Sequence, residues 1–242
     1  HGANASDLRV YNYRRVGREL APGEVVTVWA DPTIQAAVQA DDAASLVPPG
    51  AFSIGPPQRG ELVNGVALPE LSAYVLRFPN SAYGTTHAVR ATVAAVTSFR
   101  ASSSYAGELR IGAMSRQRGG PMGGHASHQS GRDLDIRLPL RAELPQRLHP
   151  KAHRVDWLAT WRLVQAFIET GAVSRIFLDY KRQGRLLRAA RAAGVSEAEL
   201  ERVLQYPRGW GADAGVVRHS SGHKGHLHVR FGCADYETEC VE

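Results

Sequence analysis

A chain of 242 residues with 43% hydrophobic and 21% charged residues has ordinary globular composition, which excludes wholesale disorder and allows a sizeable core. The formal net charge is +6, yet among the 29 basic residues only Lys151, Lys181 and Lys224 are lysine, and no basic run with interleaved aromatics occurs. Nucleic-acid binding is therefore not expected, and no apolar run is long enough to predict a membrane span.

The chain starts at His1 rather than Met, so a removed leader or a trimmed end is expected. VVTVWA (25–30) predicts a strand, and IQAAVQADDAASL (34–46) a weak Ala-rich helix. The break at Pro48, Pro49 and Gly50 divides residues 1–50, an N-terminal arm or small accessory module, from a main domain over 51–242. THAVRATVAAVTSF (86–99) carries Val89, Val93 and Val96 at helical spacing behind Thr86, a candidate N-cap. ELRIGAM (108–114) predicts a strand, followed by a loop containing Gly119, Gly120, Gly123 and Gly124. DWLATWRLVQAFIETG (156–171) is the clearest helix, capped by Asp156, stopped by Gly171, and presenting Trp157, Trp161, Val164 and Ile168 on one face as core residues. SRIFLDY (174–180) predicts a strand and 182–193 a helix ending at Gly194; Ser196 with Glu199 is a capping box for one more. HLHVRF (226–231) closes the domain as a strand.

Two short windows hold half of the ten histidines: GHASHQSGRDLDI (124–136) with His125 and His128, and GHKGHLHVRF (222–231) with His223, His226 and His228. On a strand, residues two apart share a face, so His226 and His228 point the same way while Leu227 enters the opposite layer. In LDIRL, Asp135 points away from Leu134 and Ile136, and Asp133 joins it if the strand starts that early. Two imidazoles on one face are costly to bury without partners, and a metal ion is such a partner. A loop histidine (His128), a strand carboxylate (Asp135) and a remote strand histidine (His228) make a three-donor N/O set of the kind a catalytic zinc uses with a water in the fourth position. A polar loop without metal is the alternative. No HExxH helix is present, so a proton carrier must come from elsewhere. His226, two residues from His228 on the same strand face, fits that need with an imidazole titrating near neutrality.

The string GHASHQSGxDxDI with a later HxxHxHVR closely resembles the penicillin-insensitive murein endopeptidases, within the wider group of zinc peptidases that includes D-Ala-D-Ala dipeptidases and hedgehog-like and lysostaphin-type enzymes. SIGPPQRGELVNG (53–65) and CADYETEC (233–240) share the resemblance, which spans roughly residues 52–242. It implies one zinc held by His128, Asp135 and His228, with His125 as a further ligand or outer donor. It also implies His226 as catalytic base or transition-state stabiliser and His223 as a supporting histidine. The implied substrate is peptidoglycan, cut at D-alanyl bonds to meso-diaminopimelate, in a bacterial periplasm or outside the cell. A D,D- or L,D-carboxypeptidase of the same group and a non-catalytic wall-binding protein are the competing readings.

Asp133 either shapes the turn after Gly131 or orients a ligand histidine. Trp210, in RGWGADAG, is a candidate contact for glycan or peptide. Arg137 and Arg230 flank the motif, positioned to meet a substrate carboxylate or to face solvent. Cys233 and Cys240 have no third cysteine; they pair, clamping the tail and implying an oxidising compartment, or remain free thiols of a cytosolic chain. The expected fold is α+β: a central antiparallel sheet flanked by helices, long loops, and the zinc site in a groove at one end.

Overall fold

The computed structural model describes residues 46–242, so the strand expected at 25–30 and nearly all of the helix expected at 34–46 lie outside the described residues. Ten strands are present among them. They are β1 (Phe52–Ile54), β2 (Glu61–Val63), β3 (Val66–Ala67), β4 (Val75–Leu76), β5 (Tyr83–Gly84), β6 (Arg110–Ile111), β7 (Asp133–Arg137), β8 (Val173–Phe177), β9 (Val217–Arg218) and β10 (His226–Phe231). Four α-helices accompany them: α1 (Thr86–Ser102), α2 (Trp157–Glu169), α3 (Tyr180–Ala192) and α4 (Glu197–Val203).

The main sheet has the order β4-β6-β7-β10-β8-β9, with β1-β2 and β3-β5 as separate pairs. Against the expectation of an antiparallel sheet it is mixed. Pairing is antiparallel from β6 through β7 and β10 to β8, but β4 runs parallel to β6 and β9 parallel to β8. The physical reason lies in the connections. Helices α3 and α4 carry the chain from the end of β8 back before β9, and α1 lies between β4 and β6, which are the long crossovers a parallel pair requires.

Alternation along β7 and β10 sorts the two faces. Leu134, Ile136, Leu227 and Val229 are fully buried and join Val93, Phe99, Trp161 and Phe167 of the helices in one apolar cluster. Each such side chain stabilises the fold by about 2 kcal/mol. The opposite face carries three cross-strand pairs in register: His226 beside Arg137, His228 beside Asp135, and Arg230 beside Asp133. A one-residue slip would drive all six into the core, so the apolar set fixes the polar set.

Local details depart from expectation at element ends. The N-cap of α1 is Thr85, whose side chain accepts from Ala88 N–H; the Thr86 hydroxyl is already engaged, accepting from Ala51 N–H and donating to Pro48 O. Regular pairing over 108–114 is confined to Arg110–Ile111. Strand β8 stops at Phe177 because Asp179 leaves the sheet to cap α3, accepting from Lys181 N–H. Asp156 and Ser196 cap α2 and α4 as expected.

The loop between β6 and β7 is pinned along its length. Gly119 has φ +68°, and a β-carbon there would lie 2.3 Å from Gln129 O and 2.5 Å from Leu62 N, so only glycine fits. Gln129 N–H donates to Pro57 O and Thr85 N–H to Gly131 O. At its end, Arg132 is fully buried, donating to Phe231 O and Val241 O and lying 3.6 Å from Glu242. Cys233 and Cys240 form a disulfide, and Gly55 N–H donates to Glu239 O, which fastens the tail to β1.

Candidate metal centre

The two histidine windows converge on Asp135. Four imidazole nitrogens surround its carboxylate: His228 Nδ1 at 3.3 Å, His128 Nε2 and His125 Nδ1 at 3.5 Å, and His226 Nε2 at 3.6 Å. The candidate metal-holding groups among the described residues are His125, His128 and Asp135, and, sharing His128, the set His128, Asp133 and His228.

His128 is held by three constraints. Its backbone is left-handed, with φ 70°, a conformation costing a non-glycine residue about 1 kcal/mol or more. Its N–H donates to Asp133 Oδ2 at 2.9 Å, and its ring Nδ1–H donates to Met114 O at 2.6 Å. A carbonyl only accepts, so the proton sits on Nδ1 and the Nε2 lone pair faces Asp135. That nitrogen, Asp135 Oδ1 and His228 Nε2 are buried without a hydrogen-bond partner. Orphaned buried atoms of this kind call for an explanation, and a cation among them supplies one.

His228 stands between two carboxylates. Its Nδ1 faces Asp135, while Nε2 lies 3.0 Å from Asp133 Oδ1, off the hydrogen-bond direction. Asp133 is fully buried and also accepts from Arg230 Nε at 2.8 Å and Nη2 at 3.2 Å, a bidentate pair. Arg230 in turn lies over the Phe177 ring at 5.3 Å, and Phe177 meets the His228 ring edge-on at 5.4 Å. Asp133 thus sits between the His228 ring and Arg230, and Arg230 is committed to Asp133.

The charges follow from burial and neighbours. Burial would raise the Asp133 carboxyl, but His228 and Arg230 outweigh it and hold it well below the usual carboxylate range. Asp135 is likewise lowered, His128 overcoming burial. Burial opposes a charge on His128, yet Asp135 and the Met114 carbonyl raise it. Burial lowers His125 and His226, and burial together with His228 and His226 pushes His223 down to about 4. These last three rings are therefore neutral near pH 7, with lone pairs available to a metal or a proton.

Asp133→Asn should destabilise the fold by about 3 kcal/mol, since it leaves the half-buried Arg230 guanidinium and the His228 ring without their counter-charge. The carboxyl is depressed in the folded state, so its contribution is full above the unfolded pKa and disappears as pH falls through the folded one. Urea melts should show the wild-type advantage at pH 7 and a narrowing gap below pH about 4. Metal affinity should fall about 10- to 100-fold as His228 loses its orienting partner.

Two clefts open on either side of Asp135, and His125, Asp135 and His226 line both. The smaller, ≈ 410 Å³, includes Gln58, Phe177, Ser220, Ser221 and His223; the larger, ≈ 610 Å³, includes Arg77, Arg110, Arg137 and Arg147. His223 donates from Nδ1 to Ser221 O at 2.9 Å and its ring lies 4.9 Å from that of His226. Trp210 is 73% exposed, packs at 5.9 Å on His219, and lines neither cleft. The Met114 carbonyl, Phe177, Gln58 and the paired serines escape a sequence reading. A carbonyl carries no side-chain signal, and Phe177 shows only as an apolar strand residue, although Ser220 and Ser221 directly precede the second histidine window.

The penicillin-insensitive murein endopeptidase family profile matches residues 53–242. Curated relatives of that name are 29% identical over 159 residues in Yersinia enterocolitica, covering 59% of this chain and 52% of the relative. Those in Yersinia pestis and Yersinia pseudotuberculosis are 30% identical over 152 residues, covering 56% of this chain and 49% of the relative. The chain thus spans about half the length of the curated relatives it matches. The matched stretch contains every side chain that converges on Asp135, and by it the chain belongs to the penicillin-insensitive murein endopeptidase family.

Proposed function

We propose that this chain is a zinc-dependent peptidoglycan endopeptidase that hydrolyses the D-alanyl-meso-diaminopimelyl amides of peptide cross-bridges, acting in the periplasm or outside the cell. The observation that carries it is the buried, unpartnered pair His128 Nε2 and Asp135 Oδ1, set between two solvent-open clefts. Three further imidazoles stand within 3.6 Å of that carboxylate. Nitrogen and carboxylate donors of this number suit zinc. His128, Asp135 and His228 would hold it, with His125 beside them as a further donor. Zinc supplies a Lewis acid for the amide carbonyl and makes water more acidic.

The chain's own groups do the rest. The Met114 carbonyl fixes the ring of His128, and Asp133 stands 3.0 Å from Nε2 of His228. His226, half-buried and neutral, takes a proton from the attacking water at Nε2 and returns it to the leaving amine. His223, neutral and beside it, presents a supporting ring on the smaller cleft. Clefts on both sides of Asp135 accommodate chain on both sides of a cut bond, which favours an endopeptidase over a carboxypeptidase. The disulfide suits an oxidising compartment, and among the described residues no helix is long and apolar enough to cross a membrane.

Digestion of purified peptidoglycan, read by mass spectrometry, tests this. Cross-linked dimers should become monomers, the reaction should stop with a chelator, and zinc should restore it. Release of terminal D-alanine alone would point to the carboxypeptidase, and wall binding without products to a structural metal.

A further inference from the structure

The two clefts differ in charge. Beyond the shared His125, Asp135 and His226, the smaller offers Gln58, Ser220, Ser221, His223 and an Arg230 already bound to Asp133. The larger gathers Arg77, Arg110, Arg137 and Arg147. Arg110 is answered by Glu108 at 3.1 Å, and Arg137 donates to the carbonyls of Leu148 and Gln146. Among the described residues no carboxylate pairs with Arg77, Arg137 or Arg147. Like charges so placed repel one another, and an anion in the cleft relieves the repulsion.

The sheet builds this cleft onto the metal centre. Arg137 is the cross-strand partner of His226 and shares the face of Asp135 two residues away. Arg110 on the neighbouring β6 and Gly112 just past its end lie across from them, Gly112 N–H donating to Asp135 O. A β-carbon at Gly112 would stand 3.2 Å from Asp135 Cβ, so the absent side chain keeps the floor between Arg110 and Asp135 open. At the rim, Arg77 is exposed and stacked 4.7 Å above the exposed Phe78 ring, and Arg147 is exposed with no carboxylate partner among the described residues. Two guanidiniums are thus held in the floor and two stand exposed at the rim.

We infer that the arginine cleft is the subsite for a free carboxylate of the substrate, the one borne by the residue that supplies the nitrogen of the cut amide. The inference rests on the endopeptidase reading, which puts substrate on both sides of Asp135. In a D-alanyl-diaminopimelyl cross-bridge the carbon next to the scissile nitrogen carries such a carboxylate. Held by Arg77 and Arg147 over Arg137, it places that nitrogen beside His226, which delivers the proton to it. Guanidinium forks suit a carboxylate through paired N–H donors.

The test compares a cross-linked muropeptide dimer bearing this carboxylate free with the same dimer amidated there. Wild-type kcat/KM should favour the free form, and the double substitution Arg77→Ala, Arg147→Ala should lower that preference about 10-fold. Both residues are exposed, so folding is preserved, and circular dichroism checks it. In parallel, calorimetry on the full chain stripped of metal measures binding of the diaminopimelate-containing stem tripeptide, which is not cut. The double variant should bind it about 10-fold more weakly, and amidation should weaken wild-type binding similarly. Equal losses on both dimers, or equal wild-type binding of free and amidated tripeptide, overturn the subsite. If wild type cuts no muropeptide, the endopeptidase reading fails by itself and the calorimetry still decides the cleft.

Discussion

Asp135→Asn should leave the folded protein essentially without metal. Inductively coupled plasma spectrometry should read close to one zinc per wild-type chain and near zero for the variant. Four imidazole nitrogens lie within 3.6 Å of this carboxylate, and they come from the loop before β7 and from β10. An amide keeps the shape but removes the negative charge that the imidazoles share. Altering a partner that only orients a ligand costs about 10- to 100-fold in affinity, and losing a ligand carboxylate exceeds that. Turnover should fall by at least about 100-fold with it. A variant that keeps full zinc and full turnover would remove Asp135 from the centre of the site. Thermal stability of the metal-free protein serves as the control, since Asn leaves the apolar face of β7 untouched.

His226→Ala should behave oppositely toward metal. The variant should retain about one zinc and lose about 10²- to 10⁴-fold in kcat, the span of a positioned acid/base group. Its nitrogen stands 3.6 Å from Asp135, the farthest of the four, and its side chain is 32% exposed, against 1% for His128 and 8% for His228. Buried rings suit ligation and a half-buried ring lining both clefts suits proton traffic. The neutral form of His226 is favoured by burial, so activity should rise with pH as the ring deprotonates and level off near neutrality. If zinc leaves with the imidazole, His226 is a ligand and the proton carrier is another group, His223 being the nearest candidate at 4.9 Å between ring centroids.

The sequence carried much of this site because period-two alternation is local. LDIRL and HLHVRF each announce which residues share a face, and the match of Leu134, Ile136, Leu227 and Val229 to the core followed. Helix caps at Asp156 and Ser196 were legible for the same reason: the capping atoms lie within three residues of what they cap. What failed was long-range. Nothing in the string 133–137 says that Asp135 pairs with His228 rather than His226, because register is set by packing of both strands against the helices. The parallel edges β4 and β9 are two-residue strands, too short to show a period. The left-handed backbone of His128 breaks the usual preference for glycine there, and its ring partner is a carbonyl, which no side-chain pattern reveals. Arg230, by contrast, stood beside the motif in sequence, and only the fold shows it turned inward onto Asp133.

The wiring of Arg132 has a practical consequence. This guanidinium sits one residue before Asp133 and leans on carbonyls of Phe231 and Val241. Removing residues 237–242 would take away the Val241 carbonyl and leave a buried cation short of acceptors directly behind the strand that presents Asp133 and Asp135. Loss of residues 237–242 in a preparation would therefore masquerade as a defect in ion binding.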